Sequence, residues 1–370
     1  MKKFAVAAAL LAPFAFAHAQ SSVTIYGLID AAVSFGNGGN GAKTKRLDSG
    51  VGPGSRLGFR GNEDLGGGLK AMFTAEMGID SGTGTFQQGN LPFGRQIFVG
   101  VGGGDTWALT FGRQLSPSEI AITAADALGQ NYWNSTAGYG IGTLMSPVGN
   151  SVMGSGCQGA TVRVNNSVLG SYSAGGFTGR FMVGMGDENP QGSGRLINPS
   201  IQYKNGPVLL TAAYTRMRQC QADFPATLNS AGWQTEKIVG GSYDFGFAAL
   251  FAGYYAFDPS EENKVVGPTT LLEQKVVWLG ARVPVGAQGT LLAQVSHLKA
   301  DRNLNDAKGT GIGVSYLHAL SKRTRVYVST GRMQNNSVGT FTLAAATASQ
   351  PNGGPGTKPN VISFGVTHTF

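Results

Sequence analysis

Charge is scarce in this chain: Asp, Glu, Lys and Arg make up 13% of its 370 residues, against about 25% in an ordinary soluble protein. A soluble all-β protein of this size would carry more surface charge, so the scarcity argues for an outer surface that meets hydrocarbon. Long apolar runs are also missing after the first nineteen residues, which excludes a transmembrane helix and leaves a soluble product or one that spans as strands. Histidine is sparse: beyond His18, the isolated His297, His318 and His368 fall near strand ends and read as interface side chains. No metal-ligand spacing occurs, so no metal or other cofactor is expected. No Ser, His and acid or amide set converges as a hydrolase would need, and the chain is not read as an enzyme. Basic residues are dispersed and not interleaved with stacking aromatics, which argues against a nucleic-acid groove. Gly36, Gly38 and Gly41 match G-x-G-x-x-G, but no βαβ unit surrounds them and dinucleotide binding is set aside.

What the chain does have is an export signal and strands. Lys2 and Lys3 precede an apolar run from Phe4 to Ala17, and Ala17, His18 and Ala19 form an A-x-A-like cleavage site. Residues 1–19 therefore read as a secretory signal peptide and 20–370 as one barrel domain. Removing the signal takes Lys2 and Lys3 with it and lowers the formal charge from +8 to +6.

Candidate strands lie near 22–33, 54–62, 68–78, 94–101, 105–114, 160–168, 177–186, 196–204, 207–216, 236–243, 246–256, 274–284, 288–298, 309–318, 324–334 and 360–370, sixteen in all. Tight links such as Asp64 to Gly67, Asn205-Gly206 and Val285 to Ala287 alternate with long ones, and the sixth link, Leu169 to Gly176, is intermediate. The longest link runs from Leu115 to Gly159. Long structureless loops count against a compact soluble domain, whereas an outer-membrane barrel combines short periplasmic turns with long external loops. Glycine, 58 of 370 residues, is assigned to those connections.

In the last ten residues Ile362, Phe364, Val366, His368 and Phe370 share one face and Val361, Ser363, Gly365, Thr367 and Thr369 the other. A final strand needs a partner on each side, which suggests a closed barrel. The same alternation sets Trp107, Leu109 and Phe111 against Thr106, Ala108, Thr110 and Gly112. The fold class is therefore all-β, a sixteen-stranded antiparallel transmembrane barrel, and its function that of a pore.

Four segments carry a family resemblance: SSVTIYGLIDAAV from Ser21, SRLGFRGNEDLGGGLKAMFTAEMG from Ser55, RQIFVGVGGGDTWALTFGRQ from Arg95, and the terminal GVTHTF. They resemble the general porins of Gram-negative bacteria, in particular those of β-proteobacteria. The resemblance implies a homotrimer in the outer membrane, each barrel holding a water-filled lumen narrowed by an inward-folded third external loop. Phe370 looks like that family's signal for outer-membrane assembly.

Within the third loop, Ser116 and Glu119 make an S-x-x-E capping box with Pro117 at the first helical position, ahead of Ile120 to Leu128. Glu119 is then either a cap or an acid facing the lumen, and Asp126 lies about two turns further on. On the opposing wall, Arg56, Gly58 and Arg60 share a face opposite Leu57 and Phe59. A charge facing lipid at mid-depth costs about 2 to 4 kcal/mol, so both arginines point inward. Arg163 similarly shares a face with Asn165. Arg95 has the parity of Ile97, Val99 and Val101, which alone would make it lipid-facing or a rim residue. The resemblance instead places Arg56, Arg95 and Arg163 in a basic constriction cluster, with apolar lumen residues beside Arg95 under the third loop. Arg113, with the parity of Phe111, is read as a rim residue.

Guanidinium groups stay cationic at any working pH, and arginine rings favour anions. The expected activity is passive diffusion of small hydrophilic solutes and ions with a mild preference for inorganic or organic anions. Lys43, Lys45 and Arg46 are read as an external loop cluster, screened by salt. Cys157 and Cys220 fall on external loops of an exported chain, where a disulfide and two free thiols both remain open.

Overall fold

The computed structural model describes residues 22–136, 162–185, 195–218, 233–258, 273–300, 306–350 and 354–370. The signal peptide, Cys157 and Cys220 lie outside the described residues. Among the described residues the strands are β1 (Ser22–Asn37), β2 (Lys43–Ser49), β3 (Arg56–Gly66), β4 (Leu69–Gly78), β5 (Gln96–Gly103) and β6 (Trp107–Leu115). The helix α1 (Pro117–Ala124) follows, then β7 (Arg163–Ala174), β8 (Phe177–Gly184), β9 (Leu196–Asn205), β10 (Val208–Arg218) and β11 (Trp233–Asp244). The chain continues with β12 (Ala249–Asp258), β13 (Gln274–Val285), β14 (Gly289–Ala300), β15 (Ala307–Ala319), β16 (Thr324–Asn335) and β17 (Asn360–Thr369).

Apart from β2 and β3, which both pair with β1, each strand pairs antiparallel with its sequence neighbours, and β1 pairs with β17 from Leu28↔Thr369 to Asn37↔Asn360, which closes the sheet. The barrel has sixteen staves because β2 and β3 share one position beside β1. Leu28 pairs with Arg56 and Ala31 with Ser49, and residues 50–55 leave the wall between them.

The period-2 pattern resolves into an outer and an inner face. Val23, Ile25, Val99, Val239, Leu279 and Phe364 point outward and are more than half exposed. On the other face of the wall, Ser34, Thr110, Gln294, Ser329 and Ser363 point inward and are buried. Apolar outside and polar inside is the inverse of a soluble barrel and suits a wall set in lipid around a polar lumen.

Two links differ from the sequence reading. Lys43, Lys45 and Arg46 belong to β2 and not to a loop, since the β1 to β2 link is the short turn 38–42. β2 alternates among polar residues, with Arg46 and Asp48 half-buried and paired at 3.1 Å while Lys43 and Lys45 are exposed, so no hydrophobic period marks it. The sixth link is a two-residue turn, Gly175-Gly176, because β7 runs on to Ala174. Both of its residues have positive φ (58° and 84°), which glycine adopts without strain.

Candidate functional site

The inside of the barrel is occupied on one side by the third external loop. Ser116 caps α1, its Oγ accepting from the Glu119 N–H at 3.0 Å, and Pro117 opens the helix. The helix stops at Ala124, short of Leu128. From there the loop follows the inner wall. Ser118 N–H donates to Asn198 Oδ1 on β9 (3.0 Å), and the Ser118 and Thr215 hydroxyls meet at 2.7 Å. Trp278 Nε1–H donates to Ala125 O (2.8 Å), and Arg282 Nε–H and Nη2–H donate to Ala127 O (2.6 Å) and Asp126 O (2.9 Å). Gln294 Oε1 accepts from Ala127 N–H at 3.2 Å. Trp133, wholly buried, donates from its backbone N–H to Ser329 Oγ (3.1 Å) and from its indole to Ser363 Oγ (2.7 Å).

The wall under this loop is cut away. A Cβ on inward-facing Gly240, Gly280, Gly313 or Gly331 would collide with Ala125, Ala127 or Trp133 of the loop. Part of the glycine excess, assigned above to connections, therefore lies in the staves and forms the seat of the loop.

The opposing wall carries the arginines. Arg56 and Arg60 of β3 flank Gly58, over which the Tyr26 ring of β1 lies. The Arg60 guanidinium sits 5.1 Å from the centre of that ring, and Arg56 Nε–H donates to Gly54 O at 3.0 Å. Arg95 is buried, with Nε 2.6 Å from Glu76 Oε1, and Tyr26 OH donates to Glu76 Oε2 at 3.0 Å. The parity argument failed for Arg95 because it precedes β5: its N–H donates to Glu76 O (3.2 Å), and regular alternation begins at Gln96. Ile97, Val99 and Val101 are outward, 40–58% exposed, so the expectation of apolar lumen residues there is corrected.

Glu76, not singled out from the sequence, is the acid at the centre of this wall. Its signal was present: the inward parity of Lys70, Met72 and Thr74 extends to it. Arg113 is not a snorkelling rim residue. It is half-buried, with Nε–H donating to Gly94 O (2.8 Å) and Nη1–H to Asn165 Oδ1 (2.5 Å), beside a bulge between Gly112 and Gln114.

The two acids of the inward loop differ. Glu119 is 8% exposed and accepts from Gln130 Nε2 at 3.2 Å. Burial pushes its carboxyl up to about 7, against the pull of the Arg163 and Arg95 guanidiniums. Asp126 does not face the lumen: it is wholly buried and organises its own loop. It accepts from the backbone N–H groups of Leu128 (2.8 Å), Gln130 (3.0 Å) and Thr136 (2.9 Å) and from Thr136 Oγ1 (2.6 Å). At the foot of the seam, Phe370 exchanges backbone hydrogen bonds with Gly27 (3.0 and 3.1 Å), and its ring covers the place where a Gly27 side chain would be.

Residues 5–340 match the family described as Gram-negative porin. The outer membrane porin protein 32 of Delftia acidovorans is 30% identical over 383 aligned positions that span the whole of both chains. Among solved structures, an anion-selective porin from Comamonas acidovorans is similar at a TM-score of 0.77, with 27% identity over 95% of this chain and 100% of that one. OmpT of Vibrio cholerae, described in a trimer form, shares the fold at a TM-score of 0.67 and 16% identity, over 95% of this chain and 99% of its own. The closed lipid-facing barrel, its polar lumen and these likenesses agree: the chain belongs to the Gram-negative porin family, a channel of the outer membrane and not an enzyme.

Proposed function

We propose that the lumen passes small hydrophilic solutes by passive diffusion with a mild preference for anions, through a constriction between the arginine wall and the inward loop. The observation that carries the preference is the charge balance at that height. Arg56, Arg60 and Arg95 stand on the wall, and Arg163 acts on Glu119 from the start of β7. One of these cations is matched by Glu76 at 2.6 Å. Glu119 is half protonated near neutral pH, so positive charge is in excess and favours anions in a narrow, low-dielectric passage. The structural likeness to an anion-selective porin supports the same reading.

The working unit we propose is a homotrimer in outer-membrane lipid, as the trimer form of OmpT suggests for the shared fold. On the outer face of β1, Gly27 is covered by the Phe370 ring and Ala31 is half-buried. The test is reconstitution into a planar bilayer under a KCl gradient. Ohmic steps with a zero-current potential on the anion side are expected, and the Arg56→Gln, Arg95→Gln, Arg163→Gln triple variant should shift that potential toward cations. An unshifted potential rejects the constriction assignment, and absence of ion-conducting steps rejects the channel.

A further inference from the structure

A second loop enters the barrel. Residues 336–350, between β16 and β17, fold against the inner wall: Leu343 is wholly buried against Gly331, Phe341 lies on Gly309, and Gln350 fills the space beside Gly36. A short bridge between Ala344 and Ser349 closes this segment on itself, with Gln350 N–H donating to Leu343 O at 2.8 Å.

The segment meets the third loop at Asn134. Asn134 N–H donates to Ala344 O at 3.2 Å. Thr347 reaches the break in the second stave, its N–H donating to Gly50 O (3.0 Å) and its hydroxyl to Ser49 O (2.7 Å). From the other side the break also takes the third loop, because Val51 O accepts from Tyr132 N–H at 2.6 Å. Val51, Trp133, Asn134 and Ser135 are all wholly buried.

Asp30 of β1 fixes the break. Its Oδ1 accepts from Gly52 N–H (3.1 Å) and from Tyr327 OH (2.9 Å), and its Oδ2 from Thr367 Oγ1 (2.6 Å). Its own N–H donates to Ser55 Oγ at 3.0 Å. The Tyr327 ring then meets Tyr132 edge-on, with centroids 5.2 Å apart.

We propose that residues 336–350 and residues 50–55 form a clamp that holds the inward loop at Tyr132 to Ser135, with Asp30 as its positioning residue. The clamp sets how far the loop stands from the arginine wall, and so sets pore size rather than charge preference. A connection as long as Leu115 to Arg163 has much chain entropy to lose, and pinning its middle divides it into shorter spans. A carboxylate serves at Asp30 because it accepts from donors on two strands and on the break between β2 and β3 at once.

The proposal rests on the channel reading for its readout, and single-channel recording of the full chain tests it. Two variants are compared with the parent: deletion of residues 342–348 with a Gly-Gly bridge, and Asp30→Asn, which keeps the shape but loses one acceptor. Conductance is expected to change at least 1.5-fold and open-channel noise to rise in both, while the anion-to-cation permeability ratio stays within its parent range. Parent-like conductance and noise in folded, heat-modifiable variants overturns the clamp. A parent that does not conduct rejects the channel reading instead. Should the variants fail to fold, amide exchange on the unaltered protein decides: protection of the Tyr132 and Asn134 amides comparable to the wall supports the clamp, and exchange as fast as in open loops rejects it.

Discussion

Replacing Glu119 by Gln separates charge from shape at the proposed constriction. The carboxyl titrates near 7 because burial disfavours its charged form, so it is ionised at pH 8 and neutral at pH 6. Protonation removes a negative charge from a site pulled on by Arg163 and Arg95. The anion preference should therefore rise as pH falls from 8 to 6. One charge about 8 Å from a passing ion, in a water-like dielectric, is worth about 0.5 kcal/mol. Because anion and cation shift in opposite senses, the permeability ratio changes about fivefold at low salt, and roughly twofold once screening at 0.15 M is included. Zero-current potentials measured at pH 6, 7 and 8 in KCl gradients give the ratio directly. Glu119→Gln should be flat across this range and lie near the pH 6 limit of the parent; His297, His318 and His368, intact in both proteins, are thereby controlled. A parent ratio that does not change, or a variant that keeps the parent's slope, refutes the reasoning. The same shift has a stability sign. Between about 4.5 and 7 the folded chain holds a proton that the unfolded chain has released, so this group's contribution to stability declines as pH rises through that window, by roughly 3 kcal/mol in all.

Glu76→Gln should free Arg95 and strengthen anion preference at every pH, read from the same potentials; unchanged potentials would mean that the pair is screened from the ion path. Trp133→Ala, which empties a fully buried site, should cost about 3 to 5 kcal/mol of local stability and make the inward loop protease-sensitive in the folded barrel. Adding residues after Phe370, or Gly27→Val beneath its ring, should lower folded yield on unheated gels, and parent yield from both would end the assembly role given to this seam. Labelling of unreduced, denatured protein with a thiol reagent should give either no free thiols or two per chain, which decides between a bridged and an open Cys157 and Cys220.

The staves were legible because lipid outside and water inside impose a clean period of two on residues such as Trp107, Leu109 and Phe111. β2 escaped because its alternation is written in Thr44, Arg46 and Asp48, where no hydrophobic contrast exists. Arg56 and Arg60 could be read from a single strand, since an outward charge at mid-depth is too costly. Arg95 could not, because it sits one residue outside its strand, where parity carries no meaning. The role of Asp126 was not legible for a related reason: an acid in a loop gives no sign of whether its carboxylate meets the lumen or its own backbone. The second inward loop was invisible, as Leu343 and Phe341 form no periodic pattern and gain their meaning from Gly331 and Gly309 across the chain.

The glycine seat has a consequence for assembly. A stave that slips by two residues keeps its faces and most of its ladder, so the sheet alone rejects such errors weakly. In this barrel a slip would bring Ile238 or Ser242, Trp278 or Arg282, and Ser329 or Met333 into places now held by Gly240, Gly280 and Gly331, against a loop with no room for them. The inward loop thus fits flush on staves with the present stagger, and the seat that receives it would exclude a wall shifted by two residues.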